Sequence, residues 1–153
     1  MSANPQSVSP QVEKVTEMIH QYAESVGLTR EQVFNSEKKT WRWRIGSAYI
    51  DIFIQTIRFE NGTSRDYLRI FSALMQIPAN DLLKFYRHLL ELNDSKLGVK
   101  LTIMPNSNWV YATYERDIRG MDYHELATCI ADLEYWADLL DDELKNTFPN
   151  WSN

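Results

Sequence analysis

A chain of 153 residues with 44% hydrophobic and 24% charged side chains has the balance of an ordinary globular protein, which excludes a chain disordered throughout. A formal charge of −5 argues against nucleic acid as the default partner, because phosphate binding needs concentrated Lys and Arg. The acidity is uneven: residues 1–76 hold 9 basic and 8 acidic side chains, residues 77–153 hold 7 and 13.

The length suits one domain over residues 9–148, between a disordered tail at 1–8 and a loose end at 149–153. The start, MSANPQSVSP, has neither a basic nor an apolar leader segment, and no stretch is long and apolar enough to span a membrane. Cys129, the single cysteine, suits a reducing compartment. A cytoplasmic protein without membrane contact is expected.

Ser9-Pro10 reads as a helix start, and Val12, Val15, Ile19, Tyr22 and Val26 then fall on one face before Gly27 stops the helix. Thr29 and Gln32 form a candidate capping box that opens one short turn through Val33 and Phe34. Residues 35–39 read as loop. Trp41, Trp43 and Ile45 alternate with Arg42 and Arg44 at the period of a strand. After a turn at Gly46-Ser47, the next strand places Ala48, Ile50, Ile52, Ile54 and Thr56 on a core face. Tyr49, Asp51, Phe53, Gln55 and Ile57 fall on the other. Asn61-Gly62 predicts a type I′ hairpin. The third strand, about Ser64 to Met75, sets Leu68, Ile70, Ser72 and Leu74 against Tyr67, Arg69, Phe71, Ala73 and Met75.

A helix from about Asp81 to Asn93 follows Pro78 and breaks at Asn93-Asp94-Ser95. It carries two apolar rows: Leu82, Phe85, Leu89 and Leu92, and about 100° around the axis Leu83, Tyr86 and Leu90. Strands over Val99–Met104 and Trp109–Glu115 flank a turn at residues 105–108. Asp122 and Glu125 then cap a final helix whose buried stripe is Leu126, Ile130, Leu133, Ala137, Leu140 and Leu144. The predicted fold is α+β, in the order α-β-β-β-α-β-β-α. Its sheet is five-stranded and mainly antiparallel, with the first and last helices on the isoleucine face.

No residue pattern carries catalysis, a cofactor or a metal. His20, His88 and His124 have no metal spacing, and Cys129 reads as a packing residue. Asp141, Asp142 and Glu143 are consecutive on a helix, so they diverge into solvent. Scattered carboxylates, such as Asp51 with Asp66, are a weak case for chemistry. Arg42, Arg44, Arg58, Arg65 and Arg69 are interleaved with aromatics, as in a platform for single-stranded nucleic acid. The arginines and tryptophans of the first strand point to opposite faces, however, and arginines paired with acids are the simpler expectation.

The segments LLKFYRHLLELNDSKLGVKLTI and ELATCIADLEYWADLLDDELKNTF, with Pro78 before them, resemble the YbjN-like family, which shares the fold of the type III secretion chaperones. The resemblance spans roughly residues 10–147. It implies a small homodimer that holds a partner polypeptide over apolar surface and does no chemistry. It also implies dimerisation through the middle helix. The candidate dimer or partner interface is Leu83, Tyr86 and Leu90 on that helix with Tyr49, Phe53 and Phe71 on the second sheet face. Nucleic-acid binding through strands 41–69, or an enzyme with an unrecognised site, are the alternatives.

Overall fold

The structure, a computed structural model, describes residues 8–96 and 98–149. The expected tail over residues 1–7 and the loose end over 150–153 lie outside the described residues. Helix α1 (Pro10–Ser25) begins as the sequence predicts, with the Ser9 hydroxyl accepting from the Val12 N–H and Pro10 in the first turn. It buries Val15, Ile19 and Tyr22, and Gly27 leaves it at φ +85°. Val26 is exposed, contrary to expectation, because it is the C-cap and the chain is already turning away. The Thr29–Gln32 capping box is present and opens α2 (Arg30–Val33).

The sheet has six strands, not five, in the order β1-β2-β3-β4-β6-β5, and every pairing is antiparallel. The extra strand is β1 (Phe34–Asn35), which pairs with Trp41 and Thr40. Its two residues lie where the sequence reads as the end of a turn and a loop, and they are too short to show a period. β2 (Thr40–Ile45), β3 (Ala48–Arg58) and β4 (Ser64–Gln76) follow the predicted alternation. Trp41, Trp43, Ile50, Ile52, Leu68 and Ile70 are buried on the inner face.

Three expectations for these strands are corrected. Asn61-Gly62 is not a type I′ turn, since only Gly62 of the pair has positive φ. The Gly62 N–H reaches the Phe59 carbonyl and the Phe59 N–H reaches that of Thr63, the three-residue loop with a glycine bulge. The Asn61 carboxamide instead accepts from the Thr63 N–H at 3.0 Å. Met75 is fully buried, because a register shift between Ala73 and Met75 exchanges the faces beyond it and sets Met75 opposite Val110. Ile54 is only half-buried, and Thr56 on the same predicted core face is exposed, since the helical layer opens above them.

α3 (Leu82–Ser95) runs through the predicted break at residues 93–95. Asn93 shows why that segment holds. Its side chain accepts from the Leu101 N–H at 2.6 Å and donates to the Leu101 carbonyl at 3.3 Å. It thereby stands in for a neighbouring strand along the open edge of β5 (Lys100–Ile103). β6 (Trp109–Asp117) returns beside β4. α4 (Tyr123–Thr147) starts at the predicted Asp122–Glu125 capping box and buries the whole predicted stripe. Asp142 is exposed as expected, but Glu143 is only half-buried and Asp141 is buried; Asp132 and Asp138 are exposed as well. Of these, Asp141 is held in place by two contacts. It accepts from Ser47 at 3.2 Å and pairs with Lys145 at 2.6 Å, which ties the β2–β3 turn to α4.

Asn93→Ala leaves two peptide groups of Leu101 without partners. It should destabilise the fold by about 1–3 kcal/mol, measured by urea denaturation. An unchanged midpoint would show that water replaces the carboxamide at no cost.

Candidate partner-binding surfaces

Among the apolar, accessible surfaces of the described residues, three bear on partner binding. The first is the outward row of α3. Phe85, Leu89 and Leu92 are buried as the inner row, and the Phe85 ring meets Phe148 edge-on at 4.9 Å. Leu83 and Leu90, by contrast, are 88% and 69% exposed, and Tyr86 is 37% exposed. Leu82, expected in the inner row, is 41% exposed. As the first helical residue it precedes the turn that meets Phe148, so it joins the outward row.

The second surface is the outer face of the sheet. Tyr49 is exposed, while Phe53 and Phe71 are half-buried and in edge-to-face contact at 5.9 Å. Tyr111 continues this line from Phe71 at 6.0 Å. Arg42, Arg44 and Arg69 share the face with these rings, an association that the tryptophans on the opposite face obscure in the sequence. The arginines are engaged, however. Arg69 pairs with Glu115 at 2.9 Å, Arg42 lies 3.7 Å from Asp51 and 4.4 Å from the centre of the Tyr49 ring, and Arg44 donates to the Gly46 carbonyl. Lys100 also pairs with Glu115. Asp51 and Glu115 offset part of this charge, although Arg69 and Lys100 share the one Glu115 carboxylate and the Arg44 bond is to an uncharged carbonyl.

The third surface is a groove of about 540 Å³ between α1 and strands β1–β3, which nothing in the sequence singles out. Val12 and Thr16 of α1, with Val8 just ahead of that helix, form one wall; Phe34, Trp41 and Ile54 form its floor; Glu13, Glu17 and Lys39 stand at its rim. Two polar clasps brace this region. His20 is buried and accepts from the Trp41 indole N–H at 3.2 Å, with the Phe34 ring 5.0 Å away. Burial, reinforced by the charge of Arg30, lowers the pKa of its imidazole. Further along α4, the Glu134 carboxylate accepts from the Trp43 indole at 3.0 Å and the Tyr22 hydroxyl at 3.1 Å. Desolvation raises its pKa against the opposing pull of these two hydrogen bonds.

The residues weighed for chemistry do not converge. The pairs Asp51–Phe71 and Thr56–Asp66 put the two carboxylates five residues apart along the ladder and on opposite faces, about 17 Å from one another along the strands. Cys129 is buried. Among the described residues, no group of three or more His, Cys, Asp or Glu side chains gathers to hold a metal ion. Nor is any helix among them long and apolar enough to cross a membrane.

No protein-family profile and no curated protein matches this chain. Solved structures do. One chain of the HopA1–SchA chaperone–effector complex superposes with a TM-score of 0.62 at 13% identity, covering 88% of this chain and 98% of its own. The type III secretion chaperone SycH of Yersinia pestis, in complex with a fragment of YscM2, gives 0.52 at 15% identity over 82% and 98%. YbjN of E. coli gives 0.52 at 13% over 86% and 91%. The fold is that of the type III secretion chaperones. The architecture expected from the middle and last helices is therefore present, with one more strand.

Because the Glu134 carboxyl is harder to ionise when folded, its contribution to wild-type stability declines as pH rises from the ordinary carboxylate range through the raised folded pKa. Glu134→Gln does not ionise, so its stability relative to wild type should improve across that window. Denaturation of both proteins at about pH 4 and about pH 7 reads this difference. A constant gap between them would contradict it.

Proposed function

We propose that this protein is a non-catalytic, chaperone-like binding module that works as a homodimer and grips a partner polypeptide over apolar surface. The observation that carries the reading is the outward row of α3. Leu83 and Leu90 stand in water at 88% and 69% exposure on a helix whose opposite row already closes the core. Burying each such side chain is worth about 1.5–3 kcal/mol, and a two-fold axis would bury the row from both protomers together. Part of that gain is offset by the entropy lost on joining two chains. The chaperones with this fold that are seen with an effector, or with a fragment of YscM2, supply the parallel for a polypeptide partner.

The surfaces divide between two tasks. The α3 row serves self-association. The groove along α1 and the Tyr49, Phe53 and Phe71 face offer apolar surface for the partner, the groove being the one with depth. An extended segment suits it, since anchors can enter the groove while the intervening side chains meet the charged rim. No cofactor or metal enters this function.

Two experiments test it. Leu83→Glu with Leu90→Glu sets like charges in the proposed seam without touching Phe85, Leu89 or Leu92. This variant should keep the wild-type circular dichroism and sediment as a monomer where the wild type sediments as a dimer. A wild type that is monomeric at tens of micromolar would overturn the dimer. Val12→Glu places a charge in the groove wall. It should abolish recovery of the polypeptide that co-purifies with the wild type from its host, identified by mass spectrometry. Undiminished recovery would remove the groove from the binding surface.

A further inference from the structure

Val12, Thr16 and His20 recur every fourth residue along α1, so they form one row on the side that faces the groove. The first two line the groove, and the third packs against two of its floor residues, Phe34 and Trp41. His20 is 3% exposed and Trp41 2% exposed, so their hydrogen bond has no solvent to fall back on. That bond runs in one direction. The indole N–H only donates, and imidazole Nδ1 accepts only while it carries no proton.

We propose that His20 is a proton-operated latch on the groove: neutral, it holds the Trp41 floor and permits occupancy, and protonated at Nδ1 it releases Trp41 and expels the occupant. The proposal rests on the groove being the partner site. Protonation at Nδ1 turns an N–H···N bond into two opposed N–H groups, and the Trp41 ring must shift. An apolar occupant also excludes water from the row that His20 closes, which disfavours the charged imidazole further. Occupancy and the neutral state therefore favour one another, and by linkage acidification must weaken binding.

The charges facing His20 set where this happens. Glu17 and Glu24 from α1 and Glu31 from α2 favour the imidazolium, Arg30 from α2 opposes it, and β1 and β2 present only the Phe34 and Trp41 rings. Arg30 is itself held by Glu17 at 3.1 Å, which fixes both charges relative to the ring. Burial outweighs the glutamates, so the switch lies below the ordinary imidazole value of 6.5.

The test is a pH titration of the full chain by NMR, following the Trp41 indole N–H and the His20 ring. In parallel, the neutral dye nile red is used as a groove probe at about pH 8 and about pH 5. The indole resonance should move with the same midpoint as His20, below 6.5. Nile red should bind about threefold or more weakly at the acid end, given that one unit of pKa difference corresponds to tenfold. His20→Gln supplies an uncharged acceptor, so it should keep the indole resonance and lose both pH effects. An indole resonance that stays still while His20 titrates, in the wild type alone, overturns the latch. So does a dye response that survives in His20→Gln. If nile red binds at neither pH while the indole still co-titrates, the His20–Trp41 switch stands, but its control of groove occupancy is overturned together with the groove reading.

Discussion

Burial of the α4 stripe against β3, β4 and β6 fixes which side of the sheet is inside. Leu126, Ile130, Leu133, Ala137, Leu140 and Leu144 are all buried, over 25 helical residues that begin at a reciprocal cap. At roughly 1.5–3 kcal/mol for each of the larger side chains, this contact outweighs any single polar interaction in the molecule. The remaining elements are placed by it. α1 packs beside α4 through Tyr22 and Glu134, the β2–β3 turn is tied down at Asp141, and α3 reaches the end of α4 through Phe85 and Phe148.

Packing on one side leaves specific vacancies. α3 closes the core with one row and so presents the other outward. The helical layer does not extend over Ile54, and that gap is the groove. Lining it are floor side chains from three strands, with Val12 and Thr16 of α1 along one wall. The outer face packs its aromatics against one another and engages Arg42 with Asp51 and Arg69 with Glu115, which offsets part of its positive charge. Acidic side chains on the exterior of α4 add to that offset.

Long periodic elements were legible because their pattern repeats several times. α1 and α4 could be bounded from Ser9, Asp122 and Glu125, and the strands from alternation about Trp41, Ile50 and Leu68. The double row on the middle helix also pointed to the exposed Leu83 and Leu90. Features that depend on a single residue or on distant partners were not legible. A two-residue β1 has no period. The bulge at Ala73–Met75 moves Met75 inward without a glycine or proline to announce it. Asn93 resembles a helix breaker until Leu101 is known to lie beside it. The groove brings together residues from Val8 to Ile54, and His20 is an isolated histidine in the sequence. Only its contacts with Phe34 and Trp41 give it a role.

The division of α3 into a core row and an association row is tested most directly by methyl NMR of leucine-labelled protein through a dilution series. The methyl signals of Leu83 and Leu90 should shift together as the protein is diluted, while those of Leu89 and Leu92 stay fixed. If all four stay fixed across the series and the protein tumbles as a monomer throughout, the outward row is not an interface and the account of this protein as a dimeric binding module is wrong.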